Sequence, residues 1–251
     1  VQSGKWEQCV WGEVQHQHHE TYFIYLVPMD FETFRSLVRP THVVLGLIVL
    51  GSGLCQLVMK KGGLTHRKLG LFYYYAMLAN VATALPLSIH DGNYFLTIIG
   101  CFSLFLVHTG FRFARIRETG KFHFSDRIAA VLFLLMALGM TGFSIYFFVK
   151  GAITGGIVLG VFGLIFLLGA SADARHLLFS TRPEEYYTNL NWLRSHIGRM
   201  IGSYIAATTA FLVNVMPFGS TLLNWLLPTV IGLIVMTLFT KKYAPHTSPS
   251  K

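Results

Sequence analysis

Seven apolar segments follow one another along this chain, near residues 41–60, 69–89, 94–116, 128–149, 153–171, 195–216 and 222–240. Each is close to the roughly 20 residues that an α-helix needs to cross the hydrocarbon core of a bilayer. A backbone inside lipid must satisfy its own N–H and C=O groups, so segments of this length and polarity are expected as helices. The expected fold class is therefore all-α, an integral membrane bundle of about seven transmembrane helices. Composition agrees: 53% of the 251 residues are hydrophobic, 12% are charged and the mean hydropathy is +0.53. A soluble domain carries about 25% charged residues.

Three regions are expected: an extracytoplasmic segment over 1–39, the transmembrane domain over 40–243 and a cytoplasmic tail over 244–251. The apolar TYFIYLVP in the first region is too short to span. Its QHQHHE cluster (His16, His18, His19) reads as a solvated polar loop, with surface metal binding as the alternative. Phe31 to Arg39 has the pattern of an amphipathic helix lying on the membrane, with Phe31, Phe34 and Leu37 or Val38 on one side. The chain starts at Val1 without a charged-then-apolar leader, the form of a processed or trimmed chain. Cys9, Cys55 and Cys101 supply no disulfide framework. Pro40 and Pro228 are expected near helix starts, and Pro86 in the last turn of the second helix, kinking or ending it. Short loops at 90–93 and 217–221 make the helices they join antiparallel neighbours.

The net charge of +9 is spread between the apolar runs and forms no single patch. Of the 20 lysines and arginines, Lys5, Arg35, Arg39 and Lys150 fall on one side of the membrane and the remaining sixteen on the other. The positive-inside rule places the sixteen-residue side in the cytoplasm, with the N-terminus outside and the C-terminus inside. An internal repeat is also legible. VLGLIVLGSG (44–53) and VLGVFGLIFLLG (158–169) each lead through a basic loop to a helix opened by histidine, His66 in HRKLGLFYYYAML and His196 in HIGRMIGSYIAAT. A tyrosine follows eight residues on (Tyr74, Tyr204) and an alanine ten on (Ala76, Ala206). The pattern suggests a 3+1+3 parallel repeat about an axis along the membrane normal; chance recurrence of small apolar motifs is the alternative.

Ionisable groups in membrane helices are costly and commonly functional. His42 opens the first helix above Gly46 and Gly53, a face that either admits a flat cofactor or packs closely against another helix. His66, His108 and His196 belong to the cytoplasmic half. His108 lies one turn deeper than Arg112, and His196 sits between Arg194 and Arg199. Imidazoles can ligate haem iron while arginines such as Arg112 and Arg199 pair with its propionates. His66, His108 and His196 are also a candidate three-histidine metal site. The plainer alternative is histidines bonded to neighbouring helices beneath arginines that snorkel to lipid phosphates. Asp173, Arg175, Asp126 and Arg127 are expected to pair with one another or with the basic loops, and Asp173 is a weaker candidate for proton relay. Polar residues of the second and sixth helices (Tyr73, Asn80, Thr83, Ser203, Thr208, Thr209, Asn214) line a cavity or bond across helices. Trp225 and Tyr243 fall where interfacial aromatic belts are expected.

THVVLGLIVLGSGLCQL, GGLTHRKLGLFYYYAML and WLRSHIGRMIGSYIAATTAFLVN with WLLPTVIG resemble a group of bacterial polytopic membrane proteins known as a domain of unknown function. The resemblance covers about 40–243 and rests on His42, His66, Arg67, Gly70, His196 and Met200; it does not extend to His108. It implies a helical inner-membrane protein and supplies no activity. The layout is also loosely similar to b-type cytochromes, by architecture alone. Three functions remain open: a haem b-binding redox subunit linked to quinone, a non-catalytic subunit of a larger membrane complex, and a transporter. No motif for nucleophilic catalysis, phosphate binding or nucleic-acid recognition is present.

Overall fold

The computed structural model describes residues 31–119, 122–179, 190–215 and 219–244. The QHQHHE cluster and the rest of the first 30 residues lie outside them. Seven helices fill the described chain: α1 (Phe31–Val58), α2 (Leu64–His90), α3 (Tyr94–Thr119), α4 (Phe124–Val149), α5 (Ile153–Phe179), α6 (Asn191–Val215) and α7 (Thr221–Tyr243). Among the described residues there is no strand. Five of these helices are long and apolar enough to cross a membrane: α1, α4, α5, α7 and the Tyr94–Arg115 part of α3. In α2 and α6 the apolar run is diluted by Arg67, Lys68, Tyr73 and Asn80, and by Arg194, Arg199 and Ser203. Large side chains stand bare on the outside of the bundle, among them Val44 and Leu47 of α1, Leu135 and Leu138 of α4, and Ile234 and Leu238 of α7. Such surface is costly in water and at home against lipid.

Several elements differ from the sequence reading. Phe31–Arg39 is no separate surface helix; it runs through Pro40 into α1 without a break. The residues before a proline resist helix only locally, and the apolar turns on both sides carry the helix through. Pro86 stands one turn from the end of α2, as the sequence reading has it, whereas Pro228 sits two turns inside α7 rather than at its start. Trp225 is a core residue, packed on Phe95 at a ring distance of 4.9 Å, instead of an interfacial anchor.

The chain winds up and down, as contacts at the two ends show. At one end Ser88 of α2 bonds Thr97 of α3 (2.9 Å) and Ser144 of α4 bonds the Gly156 carbonyl of α5 (2.8 Å). At the other, which carries most of the basic residues, Gln56 of α1 bonds the His66 carbonyl of α2 (2.9 Å) and Arg194 of α6 bonds the Ala244 carbonyl after α7 (3.1 Å). Helix α1 packs along α2, α4 along α5, and α6 is held between α3 and α7. Two cores result. Phe102, Phe105, Phe133, Phe162 and Phe166 fill the space between α3 and the α4–α5 hairpin. Val49, Tyr73, Tyr74, Met77 and Val107 fill that between α1, α2 and α3. Close approach is built in with glycine: a Cβ at Gly53 would fall within the Tyr204 ring, and one at Gly110 would lie 3.0 Å from Arg199 and Met200.

Candidate functional site

The site grows from the register between α2 and α6. Both helices start at the basic end and so run in the same direction. The Tyr73 hydroxyl meets the Ser203 hydroxyl at 2.9 Å, joining residues 130 apart. His66 and His196 precede these two by the same seven residues, two helical turns, and are therefore also 130 apart. That register sets His66 and His196 at the same level of the bundle. The spacing read in the sequence as a repeat is thus also the offset of the Tyr73–Ser203 contact. The surrounding packing is unequal, since α3 lies along α6 and α7 has no comparable packing on α2.

The two imidazoles are held differently. His196 Nδ1 donates to the Gly110 carbonyl of α3 at 2.8 Å. That bond fixes the neutral tautomer, leaving Nε2 with its lone pair open to a ligand, the arrangement commonly found behind a metal-bound histidine. His66 Nδ1 is buried with no hydrogen-bond partner. A buried polar atom left unpaired costs about 1–3 kcal/mol, so something is expected to use it. The bond from Gln56 Nε2 to the His66 carbonyl fixes the backbone beneath this ring.

His108 lies elsewhere. Its Nδ1 sits 3.3 Å from the Tyr74 hydroxyl, and its ring lines a cavity of about 20 Å³ with Arg112, Asp126 and Asp173. That is room for about one water molecule. Among the described residues no three His, Cys, Asp or Glu side chains gather as a metal site.

Both candidate arginines are already engaged. Arg112 makes a bidentate pair with Asp126, Nε to Oδ1 and Nη2 to Oδ2, each at 2.7 Å. Arg199 makes a second with Asp173, Nη2 on Oδ1 at 2.7 Å and Nη1 on Oδ2, with Gly169 O beside it. Its guanidinium lies 4.9 Å from the centres of the Phe105 and Phe113 rings, a double cation–π contact. Residues Asp173, Arg199 and Asp126 are all buried. Each of the two arginines thus already pairs bidentately with an aspartate of another helix. Sequence reasoning missed these partners because 14 and 26 residues separate the members of each pair, on different helices. The available signal was the acids themselves, two aspartates at the ends of apolar runs.

His42 sits at the opposite end, with Nδ1 3.1 Å from the Asn80 carbonyl and 3.0 Å from the Thr83 hydroxyl. The glycine face below it is filled: Gly46 faces Asn80, and Gly53 faces Tyr204 and Tyr73. This end therefore packs α1 against α2 and leaves no slot for a flat ring along these glycines.

No protein-family model, no curated protein and no solved structure matches the chain.

Proposed function

We propose that this is a seven-span inner-membrane protein that holds a haem b through His66 and His196 and exchanges electrons with quinone or a partner subunit. The observation that carries this reading is two imidazoles at one level of the bundle, one oriented by the Gly110 carbonyl and the other buried with Nδ1 unused. Two neutral imidazoles are the usual axial set of a low-spin b-type haem, and burial among apolar helices sets such a potential. The engaged arginines Arg112 and Arg199 then serve the scaffold, and the propionates are met by other basic groups of the same end. The 130-residue offset shared by sequence and packing supports a parallel repeat centred on α2 and α6. The lysine and arginine asymmetry supports an outside N-terminus and a cytoplasmic histidine pair.

The test is an optical spectrum of detergent-purified protein with iron analysis. A Soret band that shifts on reduction is expected, lost in His196→Ala and in His66→Ala and kept in His108→Ala. A colourless, iron-free protein purified from haem-replete cells would sink the reading, leaving the non-catalytic subunit as the function to pursue.

A further inference from the structure

A groove of about 360 Å³ runs along the outside of the bundle, with α6 as its floor and α7 as one wall. Ile201, Tyr204 and Leu212 of α6 and Leu223, Leu227 and Val235 of α7 line it, and Leu57 of α1 closes its basic end. From Ile201 to Leu212 and from Leu223 to Val235 the helices rise roughly 16–18 Å, about the depth of one leaflet of a bilayer with a ~30 Å hydrocarbon core. The lining is almost wholly apolar, so the groove suits hydrocarbon along its length.

What lies at its basic end decides which hydrocarbon. Lys61, in the turn after α1, and Lys242, at the end of α7, lie over adjoining rings, Phe239 and Tyr243, whose centres are 5.7 Å apart. Lys61 is pinned there: its ammonium donates to the Gln56 carbonyl and, at 2.8 Å, to the Leu57 carbonyl, and lies 5.0 Å over the Phe239 ring. Burial first, and Lys242 second, hold the Lys61 ammonium below the usual lysine range. Asp126 and Asp173, two carboxylates of this end, are each taken by an arginine. A pair of like charges held at the mouth of an apolar, leaflet-deep groove needs an anion carrying hydrocarbon chains.

We propose that the groove between α6 and α7 is a binding site for one anionic phospholipid, its phosphate between Lys61 and Lys242 and an acyl chain along Tyr204, Leu212 and Leu227. The lysines supply charge complementarity and the groove supplies length. A zwitterionic lipid brings its own ammonium to the same mouth and is disfavoured.

The experiment is native mass spectrometry of the purified full chain from mixed micelles of phosphatidylglycerol and phosphatidylcholine with matched acyl chains. Wild-type protein should retain one phosphatidylglycerol in preference to phosphatidylcholine. At about one lysine's worth of surface attraction each, Lys61→Gln/Lys242→Gln should lower that preference roughly thirtyfold. Lys61→Arg/Lys242→Arg should keep it, and so should Lys241→Gln, which neutralises a neighbouring lysine. Leu227→Trp, which fills the groove and leaves the lysines, should lower retention of both lipids. Equal retention of the two lipids by wild-type protein would overturn the proposal without reference to any variant. So would an undiminished preference in the double glutamine variant.

Discussion

Arg199 is where a single side chain bears most on the molecule. It is buried, bidentate to Asp173 and sandwiched by two phenylalanine rings. Replacing it by alanine leaves the Asp173 carboxylate buried and alone, which typically costs about 3–5 kcal/mol. Arg199→Ala should therefore unfold at markedly lower denaturant in mixed-micelle titrations. The double variant Arg199→Leu/Asp173→Leu should recover much of the loss, because an apolar pair of similar volume removes the stranded charge as well. A double variant as unstable as the single one would mean that the aromatic sandwich, and not the ion pair, carries the stability. At this scale the sequence was only half legible. The histidines and arginines stood out because charge is rare in apolar runs, but nothing local says that Arg112 meets Asp126 or that Arg199 meets Asp173. Such partners are chosen by helix packing, which leaves no spacing rule.

Among the elements, α3 and α6 form the seam that joins the two cores. Gly110 lets α3 approach α6 closely enough for its carbonyl to reach His196, while Arg199 and Met200 close over the same spot. A larger side chain there must push the helices apart. Gly110→Leu should cost about 1–3 kcal/mol by overpacking. Under the haem reading it should also weaken haem retention during dialysis, since the bond orienting His196 lengthens. Unchanged stability would show that the seam is softer than its spacing implies. Helix existence was readable throughout, as apolar runs of spanning length offer few alternatives. Helix ends were less so: α1 continues through Pro40 and α5 runs on to Phe179, because amphipathic flanks stay helical after the apolar pattern stops.

For the whole molecule, the up-and-down winding brings the histidine pair, both arginine–aspartate pairs and Lys61 and Lys242 to one end. With the three native cysteines replaced, Gly92→Cys and Lys150→Cys should react with a membrane-impermeant maleimide applied to intact spheroplasts. Lys241→Cys should react only in inverted vesicles. The reverse pattern would overturn the proposed orientation and move the lipid site to the outer leaflet. Lipid as the surrounding medium was legible from composition, whereas which side chains meet at the basic end was not, because it depends on how the helices are registered.

The two arginine–aspartate pairs also bear on how the chain is made. Arg112 precedes Asp126 by 14 residues, and Asp173 precedes Arg199 by 26. A charge waiting alone in a membrane helix costs about 2.5–3.5 kcal/mol on insertion scales. At roughly 5–20 residues per second, each partner leaves the ribosome within about one to five seconds of the first. Arg112 is therefore neutralised as α4 begins to emerge, and Asp173 only once α6 does. The first three helices thus carry Arg112 unpaired until the start of α4 arrives, and the hairpin that follows carries Asp173 unpaired until the sixth helix emerges.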